Sequence, residues 1–301
     1  MPIYKLHFTT PVHFGDDSGG NLLTAVRMTF RGDVLFSALY MQGNAELFRQ
    51  AVASGELWFS DAFPYCGDIL YLPKPIGLWN RERNAGDPSM RKLFKKLQYI
   101  PMDHLTEFLH GMSDPRKLDC TFAVSHDTTR VNRRDFEDPL PYQVSAMRFV
   151  DGCGLYVIVQ SLREEILTDF EQRLTLLSAD GIGGRRSSGW GKFTWERIPI
   201  PNTLKKGLED EEAPCQMLLS TALPRDNDLE NAMEGACYLL VRRGGFTYSP
   251  LTQPTKKRTL YLFGAGSTFP KRFEGQLLDV GLNMPHPVWR YAEAGFMGVR
   301  I

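Results

Sequence analysis

The sequence predicts an α+β fold made of two tandem ferredoxin-like (RRM-type) domains, with a long irregular insertion in the first. Three observations support this prediction. Strand-like and helix-like periodicities follow one another in the split βαβ order of such a sheet. A segment rich in proline and acidic residues divides the chain at 199–214, and a glycine-rich loop joins a helix to the strand after it. The predicted domains cover residues 1–200, with the insertion at about 43–118, and residues 213–301.

The first domain begins with a strand and a helix. Apolar and polar side chains alternate over residues 3–9, which is typical of a half-buried strand. The apolar residues within 33–40 predict a short buried helix. Prolines and glycines recur throughout 43–118, so we expect no long element there beyond a short basic helix at 91–97.

A helix with one buried face is predicted after the insertion. Apolar residues recur every three to four positions from Ile166 to Leu177. Ser161 and Glu164 have the spacing of a capping box, which predicts that the helix starts there. Strands are predicted before and after this helix, at 120–130, 154–160 and 192–198.

The second domain follows the predicted linker at 199–214. We interpret its patterns as a second, smaller ferredoxin-like sheet with one helix that starts near Leu229. The expected strands cover 216–220, 236–241, 260–263, 288–291 and 296–301.

Composition limits the class of protein. The 301 residues are 43% apolar and 23% charged, which is typical of a soluble globular protein. The apolar runs are too short to cross a membrane and the chain opens directly into a strand, so we expect a cytoplasmic protein without a secretory signal. The five cysteines are scattered without a Cys-x-x-Cys pair. They predict buried, reduced thiols, and we expect no metal site and no cofactor.

Charge is distributed unevenly along a chain whose formal net charge is zero. Acidic residues concentrate at 209–212, whereas cationic residues form several clusters. Basic patches on a neutral protein suit the binding of one defined nucleic-acid segment, but ordinary charge clustering explains them equally well. The cationic clusters lie at 91–96, 130–134, 185–192 and 256–258.

The most informative segment is the glycine loop, residues 181–192, with five glycines, three cationic residues and two serines but no acidic residue. Glycine lets the backbone approach a ligand, while arginine, lysine and serine side chains donate to phosphate oxygens. A flexible surface loop is the alternative. The order helix, loop, strand argues against a Walker A loop, and Arg186 replaces the third glycine of a dinucleotide fingerprint. The predicted phosphate ligands are Gly181, Gly183, Gly184, Arg185, Arg186, Ser187, Ser188, Gly189 and Lys192.

Several segments of the chain resemble one protein family. They are the helix at 33–39, an aromatic and proline-rich segment at 63–75, the glycine loop, and His-Pro-Val-Trp-Arg-Tyr at 286–291. Together they resemble the RAMP superfamily of CRISPR effector proteins and, within it, the family that forms the fourth subunit of the type III-A (Csm) interference complex. The resemblance runs from residue 3 to residue 301.

This resemblance implies a non-catalytic RNA-binding subunit. Members bind the 5′ tag of the CRISPR RNA (crRNA) and dock onto the large palm-domain subunit and the adjacent backbone RAMP subunit, with no membrane partner. The glycine loop would hold tag phosphates. Phe36 and Ser37 would lie near the RNA path, although a core position suits Phe36 better. A family segment near the guide matches 129–133, which adds Arg130, Asn132 and Arg133 as RNA contacts; an exposed basic hairpin tip is the alternative.

Two other functions stay open on the sequence alone. A metal-independent endoribonuclease that processes precursor crRNA needs an acid and a base, and either His13 or His126 would approach the glycine loop. Surface or structural roles fit both histidines better. The other function is an assembly scaffold whose glycine loop contacts only protein. Since no acid–base pair or nucleophile stands out, we expect no enzyme activity.

Overall fold

Strands and short helices alternate through the first 199 residues. The computed structural model describes residues 1–15, 23–77, 88–132, 140–247, 254–282 and 284–300. In chain order the elements are β1 (Pro2–Phe8), β2 (Phe14–Gly15), β3 (Val26–Arg27), α1 (Gly32–Tyr40), α2 (Ala45–Ala53), β4 (Leu57–Phe59), β5 (Phe63–Cys66), β6 (Ile69–Pro73), α3 (Pro88–Lys96), β7 (Tyr99–Pro101), α4 (Leu105–Leu109), α5 (Pro115–Leu118), β8 (Ala123–Asn132), β9 (Leu140–Phe149), β10 (Cys153–Ser161), α6 (Glu164–Asp180) and β11 (Phe193–Pro199).

The largest sheet of the described residues has seven strands in the order β11-β1-β10-β5-β6-β7, and β4 also pairs with β10. All of its pairs are antiparallel. Strand β1 lies between β10 and β11, with Ile3 opposite both Ile158 and Ile198. Helix α6 contacts β10, β11 and α1, so the sheet and these helices enclose a core in which Tyr4 and Phe170 are fully buried. The predicted α+β class is confirmed.

The prediction that the insertion at 43–118 is irregular is wrong. It contains α2 and the strands β4 to β7, which extend the main sheet. Three of its prolines lie in strands: Pro64 is opposite Leu155, Pro73 is opposite Tyr99, and Pro101 is the last residue of β7. Proline is tolerated at strand ends and where its nitrogen has no ladder bond to make. The short basic helix predicted at 91–97 is present as α3.

Helix α6 has the buried face that the sequence predicts, but its start differs. Leu167, Phe170, Leu174 and Leu177 are buried. The helix begins at Glu164 with Arg163 at the N-cap and no side-chain cap. Ser161 lies two residues before that N-cap, where its hydroxyl accepts the Arg163 N–H at 3.2 Å, so the predicted capping box is wrong.

The described part of the C-terminal third contains short strands and two α-helices. The predicted linker at 199–214 holds α7, whose Leu204 and Leu208 are buried, so part of this segment packs as a helix; the division into two domains stays a prediction. The strands of the described residues form a three-stranded sheet, β15-β12-β18, and two ladders, β13-β14 and β16-β17. A second ferredoxin-like sheet stays a prediction. The elements are α7 (Asn202–Glu209), β12 (Cys215–Leu218), α8 (Leu229–Met233), β13 (Leu240–Arg243), β14 (Leu260–Phe263), β15 (Thr268–Phe269), β16 (Gln276–Asp279), β17 (Trp289–Ala292) and β18 (Phe296–Val299).

Buried polar contacts join the C-terminal third to α1 and the main sheet. The Tyr291 hydroxyl donates to the Phe59 carbonyl at 2.7 Å, and the two rings stack with centroids 4.4 Å apart. The carboxylate of Asp61 accepts the N–H of Gly32 at 2.8 Å and that of Thr221 at 2.9 Å. These bonds hold both α1 and β17 to the segment that contains Phe59 and Asp61. No helix of the described residues combines the length and the hydropathy that a membrane span requires.

Candidate nucleic-acid interface

The glycine loop connects α6 to β11 through a backbone that few side chains would permit. The φ angle of Gly183 is +95° and that of Gly191 is +80°, a region that favours glycine. A Cβ atom on Gly191 would lie 2.1 Å from the Ile182 carbonyl oxygen, and one on Gly183 would lie 2.7 Å from the His13 carbonyl oxygen. Glycine is required here because two chain segments pass in contact.

The base of the glycine loop, residues 181–184 and 190–192, is packed against the end of β1. Ile182 and Trp190 are buried. The Gly184 N–H donates to the His13 carbonyl at 2.8 Å, and the Gly191 N–H donates to the Pro11 carbonyl at 2.8 Å. These amides are therefore unavailable to a ligand, so the predicted phosphate-binding role of Gly184 is limited to letting the backbone pass close to His13.

The tip of the glycine loop, residues 185–189, faces solvent. Arg186, Ser187 and Ser188 are exposed and form one turn of 3₁₀-helix. Arg185 precedes this turn with φ +63°, the left-handed conformation, which is uncommon for a residue with a side chain. Within the described residues, the amides of Arg185, Arg186 and Ser187 donate to no protein acceptor. The exposed Lys192 follows the loop base.

The hairpin β8–β9 packs against the glycine loop. It thereby brings together the two segments that are predicted to bind RNA, 129–133 and 181–192. The Arg130 guanidinium donates to the Ser188 hydroxyl at 3.0 Å and lies 5.2 Å from the centre of the Trp190 ring. Arg185 lies 5.9 Å from the centre of the Tyr142 ring. Trp190 packs between these groups with Val144 and Ala146. We call the loop tip together with Arg130 and Tyr142 the tip surface.

Asn132 and Arg133 are the other two RNA contacts predicted in segment 129–133, and the contacts described above do not test them. Asn132 is the last residue of β8, paired with Leu140, and its side chain lies outside the described part. Arg133 lies outside the described residues altogether. Among the residues of the first helix, Phe36 is 1% exposed and packs in the core, whereas Ser37 is exposed.

A groove of about 660 Å³ runs from the tip surface to the C-terminal third. Helix α1 forms one wall, and the exposed Phe246 lies on the other side. Sequence reasoning selected Lys257 only as part of a cationic cluster and missed Phe246 and Arg243. Nothing in the sequence links residues near 245 to the glycine loop; only the fold does. The groove residues used below are Ser37, Arg186, Arg243, Phe246, Lys257 and Trp289.

A smaller cleft of about 150 Å³ adjoins Gly183 and Gly184 and contains three arginines, Arg27, Arg31 and Arg243. The Arg31 guanidinium makes no hydrogen bond or ion pair within the described residues. Burial lowers the pKa of Arg31, and repulsion by Arg243 and Arg27 lowers it further. A guanidinium stays protonated in proteins, so Arg31 is a largely desolvated cation beside two other arginines.

A buried ion cluster lies beneath the groove and is structural. Asp33 accepts Arg243 Nε at 2.9 Å and Arg243 Nη2 at 3.0 Å, and it also pairs with Arg290 Nη1. Burial alone would raise the pKa of Asp33, but attraction and hydrogen bonds from the two arginines outweigh it and hold that pKa below its ordinary value. We call Asp33, Arg243 and Arg290 the arginine joint, since it ties α1 to β13 and β17.

The two histidines weighed as catalytic groups occupy structural positions. His13 is 8% exposed, and its Nδ1 lies 2.7 Å from the Ser145 carbonyl oxygen. His126 packs edge-on against Trp190, with ring centroids 6.4 Å apart.

Solved structures share this fold over the whole chain. A chain of the Csm3-Csm4 subcomplex of the type III-A CRISPR-Cas interference complex superposes with a TM-score of 0.69 at 17% identity, with 100% of both chains covered. A chain of the Csm1-Csm4 cassette in complex with pppApA gives 0.62 at 19% identity, covering 100% of this chain and 98% of that one. The likeness therefore defines the fold class: the chain has the α+β fold of those two chains.

Sequence comparison identifies the family. The model of the CRISPR Csm4 C-terminal domain matches residues 211–299. "CRISPR system Cms protein Csm4" of Streptococcus thermophilus is 34% identical over 312 residues, which covers 99% of this chain and 99% of the relative. The protein of the same name from Mycobacterium tuberculosis (strain CDC 1551 / Oshkosh) is also 34% identical and covers 95% of this chain and 94% of its own. The chain belongs to the Csm4 family.

Proposed function

We propose that this chain is the non-catalytic RNA-binding subunit of a type III-A CRISPR interference complex, and that it caps the 5′ tag of the crRNA. The tip surface carries the proposal. It places Arg185, Arg186 and Arg130 beside unoccupied backbone amides and next to the half-buried Tyr142 ring, on an exposed part of the chain. Guanidinium groups suit phosphate, and rings suit splayed single-stranded bases.

The groove supplies the continuation of the proposed RNA path. It runs from Arg186 past Ser37 to Phe246, Lys257 and Trp289. Single-stranded RNA is held by cationic side chains along its backbone and by aromatic faces under its bases, and the groove offers both. The arginine cleft beside Gly183 gives a further position for one phosphate.

Assembly partners are proposed from the relatives. Solved structures contain Csm4 together with Csm3 and, separately, with Csm1. We infer that this chain likewise contacts the large palm-domain subunit and the adjacent backbone RAMP subunit. The strand order β11-β1-β10-β5, with α1 after β1 and α6 before β11, supports a ferredoxin-like first domain within residues 1–200.

The absence of catalysis is part of the proposal. The buried position of His13 argues against its acting as a general base. Incubation of the full-length chain with labelled precursor crRNA should leave the RNA intact. Specific cleavage that disappears with His126→Ala would instead establish the endoribonuclease.

Purification of the complex from its host tests the RNA-binding role. With the wild-type chain, we expect crRNA whose 5′ tag is protected from added nuclease. Arg186→Ala should weaken protection of the tag while subunit composition is unchanged. The exposed Lys206 on α7 provides the matched control, since Lys206→Ala removes one charge outside the tip surface and the groove. Equal tag protection in all three complexes would favour the scaffold function.

A further inference from the structure

Three cysteines that are far apart in the sequence meet where two neighbouring strands of the main sheet, β5 and β10, respectively end and begin. Cys66 ends β5 and lies directly opposite Cys153, the first residue of β10. Cys120 reaches the same place from the connection between α5 and β8. Their three Sγ atoms all lie within 4.8 Å of one another, and those of Cys66 and Cys153 are 2.7 Å apart. We call these residues the thiol cluster.

The backbone around the thiol cluster is fixed by hydrogen bonds. The Gly67 N–H donates to the Gly152 carbonyl at 2.8 Å, which holds the turn after Cys66 against the turn before Cys153. The Val150 N–H donates to the Phe122 carbonyl at 3.0 Å, which ties the segment that carries Cys120 to the same turn. The backbone of the fold therefore holds the three cysteines close together.

The surroundings of the thiol cluster suit a bound soft cation. Tyr71 and Phe122 pack beside it and exclude water from one side. Cys153 is 6% exposed, whereas Cys66 and Cys120 are only half-buried, so an ion has a route in from solvent. Zinc sites with three protein ligands keep the fourth position for water, and the open side of the cluster leaves room for it.

We propose that Cys66, Cys120 and Cys153 form a three-thiolate site for one soft divalent cation of the zinc type. A Zn–S bond of about 2.3 Å places tetrahedral sulfur atoms about 3.8 Å apart. That spacing lies between the 2.7 Å separation of Cys66 and Cys153 and the 4.8 Å limit for the cluster, so small side-chain rotations reach it. The ion takes a water molecule as fourth ligand, and binding releases the three thiol protons to solvent.

Such a site has a structural consequence. It links the connection after α5 to β5 and β10, and so tethers the start of the β8–β9 hairpin to the main sheet. Sequence spacing gave the opposite expectation, no metal site, because no two of these cysteines are close in the chain. A disulfide between Cys66 and Cys153 is the competing arrangement, and it would leave Cys120 without a role.

Titration of the full-length, reduced chain with Cd²⁺ under anaerobic conditions tests the proposal. We expect a thiolate-to-cadmium charge-transfer absorption that saturates at one equivalent, and native mass spectrometry should show one ion per chain. Cys120→Ser should weaken binding at least about tenfold, because removal of a ligand costs no less than removal of its supporting contacts. Cys120 lies outside the strands, so this variant is the one expected to keep its fold, as circular dichroism would verify.

The exposed Cys237 lies outside the thiol cluster and gives the matched control. Cys237→Ser should bind Cd²⁺ as the wild-type chain does. The proposal is overturned if the wild-type chain shows no saturable absorption, or if folded Cys120→Ser binds with unchanged affinity. It is equally overturned if the chain purified under reducing conditions carries a Cys66–Cys153 disulfide. None of these outcomes depends on RNA binding.

Discussion

The arginine joint and the tip surface use the same residue type for opposite purposes. In the joint, Arg243 and Arg290 are 7% and 6% exposed, and both pair with the buried Asp33. At the tip, Arg186 is exposed and sits in a segment without a carboxylate. A buried pair has already exchanged its hydration for a protein partner, whereas an exposed cation is still able to exchange it for a ligand.

This difference shows which arginines a ligand can use. Removal of one member of a buried pair leaves an uncompensated charge and costs about 3–5 kcal/mol. An exposed arginine contributes little to stability, so substitution there acts on binding. The comparison therefore predicts that variants of the joint unfold the protein and that variants of the tip release RNA.

The largest effect is expected for Asp33→Ala. It leaves two buried guanidinium groups facing each other, so the free energy of unfolding should fall by about 3–5 kcal/mol. Urea denaturation of the full-length chain measures it. Asp103→Ala, at an exposed site, serves as the control and should change stability by no more than about 0.5 kcal/mol. Comparable losses in both variants would contradict a structural role for the joint.

A smaller effect separates two glycines of the loop that share a positive φ. Gly191→Ala adds about 1–2 kcal/mol of backbone strain and, because its Cβ meets the Ile182 carbonyl, about 1–3 kcal/mol of overpacking. Gly189 has φ +81° with open space around its Cβ position, so Gly189→Ala should cost the strain alone. Thermal denaturation compares the two. If both variants had the same melting temperature, the close packing of the loop base would not contribute to stability.

The tip surface is tested by the salt dependence of RNA affinity. Arg186→Ala should reduce the slope of log affinity against log salt by about 0.7 for one lost phosphate contact on single-stranded RNA. Arg185→Ala combined with Arg186→Ala should reduce it by about twice as much if both pair with phosphate. Filter binding of tag RNA at several salt concentrations gives the slope, with Lys206→Ala as the control. Parallel lines for all variants would rule out phosphate pairing at the tip.

The last effect concerns the pH dependence of stability and the half-buried carboxyl group of Glu293. Burial raises its pKa from 4.5 to about 7; Arg225 opposes this shift and Glu274 adds to it. The folded chain then holds a proton that the unfolded chain has lost, so stability falls as the pH rises from about 4.5 to about 7. Glu293→Gln should flatten this part of the profile. The lowered pKa of Asp33 has the opposite sign, since its contribution is lost only as the pH falls through that value.

The glycine loop and its neighbours were predictable because the information is local. Glycine content, the apolar period of α6 and the alternation in β11 each lie within a few residues of the loop. The predicted helix at 33–40 is present for the same reason. The sequence also selected Arg130, but its contact with Ser188 spans 58 positions and could be read only from the fold.

Features that depend on distant pairing were missed. Strands β4 to β7 are three to five residues long, and β5 to β7 each contain a proline, so no period distinguishes these strands from a loop until the main sheet supplies their partners. Arg31 stands in no cationic cluster, and its significance comes from Arg27 and Arg243 across the cleft. The thiol cluster is hidden for the same reason: 87 positions separate Cys66 from Cys153.

The most direct test is photo-crosslinking in the assembled complex. A photoreactive amino acid at Ser187, which is exposed at the loop tip, should crosslink to nucleotides of the crRNA 5′ tag, identified by mass spectrometry. The same amino acid at Leu162, 90% exposed and outside the tip surface and groove, should give no crosslink to the tag. If Ser187 yields only protein crosslinks, or if both positions mark the tag equally, the tip surface is not the RNA-binding site.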